Sequence, residues 1–139
     1  MSVYTGRIHL STRGHSDMHD ITAQVQEIVR RSGLRAGVVT IFAPSSTSGI
    51  TTIEFESGAL ADLKRLFDEL APEDRPYQHN LRWGDGNGYA HVRSALLGPS
   101  LSVPFADGKL LLGTWQQITF IDFDNRPRQR EIIVQVMGE

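Results

Sequence analysis

The sequence lacks cysteine, a marked excess of one charge and any long apolar run. The absence of cysteine excludes a disulfide framework, a thiolate nucleophile and a cysteine-ligated zinc site, so any metal must be bound by His, Asp or Glu. Fourteen basic residues stand against 16 acidic ones, which argues against nucleic acid as the main partner because phosphate backbones are neutralised by basic surfaces. The longest apolar runs, such as 38–43, are much shorter than the roughly 20 residues that cross a bilayer.

The N-terminal residues show no charged start followed by an apolar run, which a secretory signal requires. Together with the lack of disulfides, this predicts a soluble, cytoplasmic protein with no membrane partner. What is present is typical of a globular protein, with 40% apolar and 22% charged residues in a chain of 139. Because no repeat or linker divides the chain, we expect a single domain over residues 1–139.

Apolar spacing predicts two main helices. Thr22 is the expected N-cap of the first, near 22–32, which carries Val, Ile and Val on one face. Ser57 is the expected N-cap of the second, which has leucines and a phenylalanine at helical spacing and ends at Pro72. A further short helix is predicted over 90–97.

The rest of the chain indicates strands joined by turns. Alternating or β-branched segments predict strands at 4–10, 37–43, 51–56, 101–105, 109–114, 116–123 and 128–137. The polar segment 71–88 is predicted to be a functional loop because it is too long for a simple connection. The fold class is therefore α+β, with a large mixed, mostly antiparallel sheet or sandwich.

Two histidines, His79 and His91, flank a loop with three glycines, Trp83–Gly88, that also carries Asp85. Imidazole nitrogens bind divalent metals, and a carboxylate on the same loop can complete the site. The metal ligands predicted here are His79, His91 and Asp85, with zinc, iron, manganese and nickel equally compatible. The alternative is that each histidine, taken singly, is a surface or hydrogen-bonded residue.

Hydroxyls and guanidinium groups supply a second set of candidates, this time for a phosphate. Alternating arginines on a strand usually form a solvated face, which is our interpretation of Arg126 and Arg130. The Ser/Thr run could equally be a simple turn. The predicted phosphate ligands are Ser45, Ser46, Thr47, Arg93, Ser94 and Arg128.

Glu54 and Glu56 are expected on one face of the strand at 51–56, where they could act as acid, base or ligand or simply be solvated. The predicted catalytic residues are Glu54, Asp85 and Arg93.

Several segments together carry a resemblance that covers nearly the whole chain. They are Tyr77–His79, Asn87–Ser100, Asp107–Leu110, Leu112–Gln116 and Arg126–Arg130. In these motifs the chain resembles the YjbQ family, whose members are linked to secondary thiamine-phosphate synthase activity. The resemblance implies a homotrimer, a polar, metal-containing site around the two histidines, and coupling of a pyrimidine pyrophosphate to a thiazole phosphate with release of pyrophosphate.

The chain departs from the family pattern at two places. Relatives carry a histidine followed by two threonines where this chain has Ser45, Ser46 and Thr47, and an asparagine where it has Ile53. If that histidine binds a metal or moves a proton, Ser45 cannot replace it, which places the chain in a variant branch. Two alternatives to the synthase therefore stay open: a homotrimer that binds a metal or phosphorylated metabolite without turnover, and a metal-dependent hydrolase.

Overall fold

Two antiparallel sheets form the framework of the chain, which the computed structural model describes from Met1 to Glu139. The strands are β1 (Ser2–Thr12), β2 (Asp17–Asp20), β3 (Gly37–Phe42), β4 (Ser48–Ile53), β5 (Ser100–Ala106), β6 (Lys109–Leu110), β7 (Gln117–Asp122) and β8 (Arg128–Gly138). The helices are α1 (Thr22–Ser32), α2 (Ser57–Leu70), α3 (Gln78–Trp83) and α4 (Gly88–Leu97). The predicted α+β class is confirmed, and no helix combines the length and apolarity needed to span a bilayer.

The larger sheet has the strand order β1-β8-β3-β5-β6, and the smaller one has the order β2-β7-β4. All the strand pairs are antiparallel. Burial alternates along β8, where Ile132, Val134 and Val136 are fully buried. This alternation places one face of the larger sheet on the main core, which also contains Val25 and Val29 of α1.

Strand β7 is covered on both of its faces. Ile118 and Phe120 belong to the main core, whereas Ile121 belongs to a second cluster with residues of α2 and α4. In that cluster the rings of Phe67 and Phe123 meet edge to face at 4.8 Å, a geometry favoured by the ring quadrupoles. Packing on both sides fixes the end of β7, where the site described below is built.

The two main helices begin and end close to the predicted residues, but their N-caps differ from the prediction. Ile21 occupies the N-cap of α1, and the Thr22 hydroxyl instead donates to Asp20 Oδ1 at 2.6 Å. Glu56 caps α2 in place of Ser57, because its carboxylate accepts hydrogen bonds from the first N–H groups of the helix. These bonds hold the pKa of Glu56 below its usual value.

The structure corrects three further predictions. Strand β4 ends at Ile53, so Glu54 and Glu56 do not share a strand face. The predicted loop 71–88 contains the six-residue helix α3, closed by Gly84 in the left-handed region. The returning strand predicted at 109–114 is only two residues long, and β2 has too short a pattern to have been predicted.

Candidate functional site

A polar cleft of about 430 Å³ lies where three connections meet the first turn of α4. One comes between β3 and β4, the second between α3 and α4, and the third between β7 and β8. The lining is polar apart from one proline and consists of Pro44, Ser45, Ser46, Thr47, Asp85, Asn87, His91, Asp124, Arg128 and Arg130. The structure thus brings together the predicted hydroxyl loop, one predicted histidine, Asp85 and Arg128.

Asp122, at the end of β7, holds one of the cleft arginines in place. Its carboxylate accepts hydrogen bonds from Arg130 Nε at 2.7 Å and Arg130 Nη2 at 2.9 Å, and from the Thr12 hydroxyl at 2.6 Å. Arg130 Nη2 also donates to Thr47 Oγ1 at 2.8 Å. The interpretation of Arg130 as a solvated strand residue is therefore wrong, since its side chain is only 14% exposed, whereas Arg126 is exposed as expected.

Asp124 is the second buried carboxylate and lines the cleft directly. All of its side-chain partners converge on Oδ2: the Thr47 hydroxyl donates at 3.0 Å, Asn87 Nδ2 donates at 3.2 Å, and two guanidinium groups lie near it, Arg128 Nη2 at 3.1 Å and Arg130 Nη2 at 3.6 Å. Burial disfavours the charge, but Arg128, Thr47 and Asn87 outweigh it and hold the pKa of Asp124 below its ordinary value. The residue is thus an anion at neutral pH, although its other oxygen, Oδ1, has no partner.

The glycine-rich loop is tied to the β7–β8 turn. The Asn87 N–H donates to Asp85 Oδ1 at 3.1 Å, while Asn87 Oδ1 accepts from the Asn125 N–H at 3.1 Å. Asn125 Nδ2 donates to the Asp85 carbonyl at 2.8 Å. Gly86 has a φ of +67°, the left-handed region in which a side chain is strained. These bonds explain why Asp85 and Asn87 reach the cleft from a loop.

The two predicted histidines lie side by side, His79 on α3 and His91 on α4. Their ring centroids are 4.3 Å apart with a tilt of 36°. Burial, followed by the neighbouring His79, lowers the pKa of His91 against the opposing effect of Asp85 and Asp124. Because an ordinary histidine titrates near 6.5, His91 is neutral at pH 7.

A divalent metal at His79, His91 and Asp85 is only partly compatible with this geometry. His79 Nδ1 is buried and lies 3.3 Å from Asp85 Oδ1, but without the alignment of a hydrogen bond. The rings are stacked rather than converging on a common point, and no three His, Asp or Glu side chains are arranged to hold a metal ion. The metal therefore stays a prediction, and no chemical step below depends on it.

Donors for an anion are present on two sides of the cleft. The Thr47 N–H is bonded to Ser45 Oγ at 3.1 Å, which shapes the loop, whereas Ser46 is exposed and its N–H bonds to no group of the chain. Arg128 Nε is buried and has no partner, although the same guanidinium is paired with Asp124 through Nη2. The Ser46 N–H and Arg128 Nε thus have no hydrogen-bond partner within the chain, and both belong to residues that line the cleft.

Arg93 and Ser94 do not belong to this cleft. Arg93 is 1% exposed, and its guanidinium donates to the Ala71 carbonyl, to Ser16 Oγ and to Asp68 Oδ1 at 3.0 to 3.1 Å. The Ser94 hydroxyl donates to the carbonyl of Ser48, which ties α4 to β4. Arg93, two positions after His91, faces the opposite side of the helix from the cleft, and the Ser94 hydroxyl is occupied by the Ser48 carbonyl. The structure therefore gives both residues packing roles in place of the predicted phosphate and catalytic roles.

Glu54 also lies outside the cleft. It is exposed in the connection between β4 and α2 and makes no side-chain hydrogen bond or ion pair. A larger cavity, of about 680 Å³, lies beside α1 and is lined by residues such as Gln26, Glu27 and Lys109. None of the predicted site residues lines that cavity, whereas the smaller polar cleft collects most of them, so we assign function to the polar cleft.

Comparison with known proteins identifies the family. The model of the "UPF0047 protein YjbQ-like" family matches residues 6–139. The chain belongs to the YjbQ family. A UPF0047 protein of Methanothermobacter thermautotrophicus is 40% identical over 139 residues, which are 100% of this chain and 95% of the relative. The UPF0047 protein YugU of Bacillus subtilis is 36% identical over 133 residues, 94% and 97% of the two chains.

Solved structures of the family share the fold described above. A YbjQ-like protein of unknown function from Sulfolobus solfataricus superposes with a TM-score of 0.94 at 36% identity, covering 99% of each chain. A YjbQ/UPF0047 family protein from Clostridium acetobutylicum gives a TM-score of 0.87 at 33% identity, covering 94% of this chain and 98% of the other. The resemblance drawn from the sequence motifs is thereby confirmed.

The residues missed by sequence reasoning are Asp122 and Asp124, which organise the cleft. The sequence contained one usable signal: the aspartates alternate with Phe123 directly after the apolar strand β7. Two carboxylates on one face at the end of a buried strand are costly unless they have a structural or ligand-binding use.

Proposed function

We propose that this chain is an enzyme that binds a phosphorylated small molecule in the polar cleft, with the phosphate at the Ser45–Thr47 loop and Arg128. The observation that carries the proposal is the convergence of this loop, His91 and Arg128 in one cleft, although they come from distant parts of the chain. A phosphate group needs N–H, O–H and guanidinium donors, and the cleft offers all three. Such an enzyme would work in the cytoplasm.

The specific reaction that we propose is the coupling of a pyrimidine pyrophosphate to a thiazole phosphate. The thiazole ring nitrogen forms a bond to the carbon of the pyrimidine substrate that carries the pyrophosphate. The bond from that carbon to the pyrophosphate oxygen breaks, and its electron pair leaves with the oxygen. The Arg128 guanidinium and the Ser46 N–H are suited to stabilise this developing negative charge, because donors that are already fixed need no reorganisation during the reaction. A neutral His91 can donate an N–H hydrogen bond to the same leaving group.

The direct test supplies purified protein with both thiamine precursors and measures formation of thiamine phosphate. Wild-type protein should form product, and the His79→Ala, His91→Ala double variant should lose it. Arg128→Met should lower the rate by about 10²-fold or more if the guanidinium stabilises the leaving group. Arg126→Met is the matched control, because Arg126 is exposed and does not line the cleft. Wild-type product no greater than that of the double variant would rule out the synthase.

A binding protein without turnover is the second candidate. It is favoured by the ion pairs of Arg128 with Asp124 and of Arg130 with Asp122, which reduce the positive charge free for a leaving group. Calorimetric titration with inorganic pyrophosphate separates the two candidates: binding without product supports this role. Release of phosphate from a panel of phosphate esters would instead reveal a hydrolase.

The expected divalent metal is tested by elemental analysis of protein purified without chelators. Metal in the wild type and its loss from the His79→Ala, His91→Ala variant would support a metal at these residues. No metal in the wild type would argue against it.

We also propose that the chain forms a homotrimer through the outer face of the larger sheet. Val3, Met137, Val38 and Pro104 lie in register across four strands. Val3 is 58% exposed, and Met137 and Val38 are each 45% exposed, and a continuous apolar row of this kind marks an association surface. Light scattering during gel filtration should give three times 15.5 kDa, and Val38→Glu should lower that mass.

A further inference from the structure

We propose that Asp124 selects the ligand of this cleft. Its Oδ1 accepts a hydrogen bond from an amino or hydroxyl group of the same ligand whose phosphate is bound at Arg128. The inference rests on the proposed phosphate site and adds to it a second requirement, a hydrogen-bond donor close to the phosphate. The chemical class is therefore a phosphate ester that also carries a protonated amine or a hydroxyl.

The two carboxylate oxygens of Asp124 differ in their hydrogen bonding. Thr47, Asn87 and Arg128 all approach Oδ2, at 3.0, 3.2 and 3.1 Å. Oδ1 is buried and accepts nothing, in a side chain only 1% exposed. A buried carboxylate oxygen left without a donor is unfavourable, and native structures seldom keep one without a ligand or water to fill it.

Asp122, the other buried aspartate at the end of β7, has no such unpaired oxygen. Asp122 is as deeply buried, yet both of its oxygens are used: Oδ2 accepts from Thr12 and Arg130, and Oδ1 accepts from Arg130 and from the Asp124 N–H. Asp122 does not line the cleft, whereas Asp124 does. The acceptor without a partner is thus on the aspartate that borders the cleft.

Arg128, the ion-pair partner of Asp124, has a donor without an acceptor. Arg128 is paired with Asp124 through Nη2, but its Nε is buried and donates to nothing. One ion pair therefore presents an unused acceptor on one member and an unused donor on the other. A ligand that satisfies both needs an acceptor, which a phosphate oxygen supplies, and a donor a short distance away.

The test compares three probes by NMR titration of the intact protein: inorganic phosphate, 2-aminoethyl phosphate and propyl phosphate. The last two have nearly the same shape, but a methyl group replaces the ammonium. Wild-type protein should bind 2-aminoethyl phosphate about tenfold to 100-fold more tightly than propyl phosphate, the range expected for one charge-assisted hydrogen bond. Equal affinity for these two esters, with phosphate bound, would overturn the role of Asp124 and leave the phosphate site standing.

Two variants assign the selectivity to its residue. Asp124→Asn should remove most of the preference for the amine. Asp122→Asn, a change of the same kind at a carboxylate that does not line the cleft, should weaken the binding of both esters alike and keep the ratio of their affinities. If Asp124→Asn does not fold, the wild-type comparison of the two esters still decides. Failure of all three probes to bind would overturn the phosphate site and this inference together. If water, and not the ligand, donates to Asp124 Oδ1, phosphate should bind but the two esters should bind equally, which overturns this inference alone.

Discussion

Replacing Arg93 separates a packing role from the phosphate role that the sequence predicted. Arg93→Met keeps most of the volume but leaves the Ala71 carbonyl and Ser16 Oγ without their donor. Each such buried acceptor costs about 1–3 kcal/mol. The guanidinium also lies 4.9 Å from the Tyr89 ring centroid, a cation–π contact worth up to about 2 kcal/mol when desolvated. Asp68 is half exposed, so water can replace its lost partner.

The two acceptors without a donor and the lost cation–π contact therefore lower the unfolding free energy by about 3–5 kcal/mol, in the lower half of their summed range because Asp68 stays solvated. Urea unfolding at a fixed protein concentration measures this loss, because the proposed homotrimer would make the stability depend on concentration. Phosphate affinity of the folded protein should remain unchanged. Arg128→Met should instead weaken phosphate binding about tenfold. It should also lose stability, because the buried Asp124 keeps its charge without this ion-pair partner, so phosphate affinity is the measurement that separates the two variants. If Arg93→Met kept its stability but lost phosphate binding, the packing role would be wrong.

Three further changes test other parts of the argument. Because burial lowers the pKa of His91, the unfolded chain binds a proton below about pH 6.5 that the folded chain does not, so stability should fall there. His91→Gln should reduce the change of the urea midpoint with pH between about pH 7 and pH 5. The same pH dependence in the variant and the wild type would contradict a lowered pKa at His91. Glu56→Ala should lower the urea midpoint through loss of the α2 cap, whereas Ser57→Ala should leave it almost unchanged, and the reverse order would restore Ser57 as the cap. Gly14→Ala should destabilise by about 1–3 kcal/mol more than Gly33→Ala, because both have positive φ but only a Cβ on Gly14 meets main-chain atoms after β7; equal losses would show that this close approach does not matter.

The sequence predicted most elements because their apolar periods agree with the final burial. The pattern of α1 matches the buried Val25, Ile28 and Val29, and the bounds 22–32 hold. The caps were missed because Thr22 and Ser57 are better N-caps by residue type, whereas the oxygens that reach the first N–H groups belong to the neighbouring carboxylates of Asp20 and Glu56. Helix α3 was missed because six residues between glycine- and proline-rich segments carry too little periodicity.

The site was predicted in part for a related reason. The hydroxyl loop, His91 and Asp85 could be recognised by residue type and local sequence. Arg93 was wrongly assigned to the phosphate site because it follows His91 closely in sequence. Helix residues two positions apart point to different sides of the helix. The roles of Asp124 and Arg130 were missed because they depend on ion pairs between the end of β7 and the start of β8, which no local sequence pattern shows.

The way β7 is packed connects the fold to the proposed chemistry. Since β7 is buried on both faces, the carboxylates at its end cannot move without disturbing both apolar clusters. Asp122 in turn holds Arg130, and Asp124 holds Arg128 and the hydroxyl loop through Thr47. The donors of the cleft are therefore fixed before a ligand arrives, which is the condition for electrostatic stabilisation of a developing charge. It follows that substitutions at the buried Asp122 should change stability and affinity together, whereas a change at the exposed Ser46 should change affinity alone.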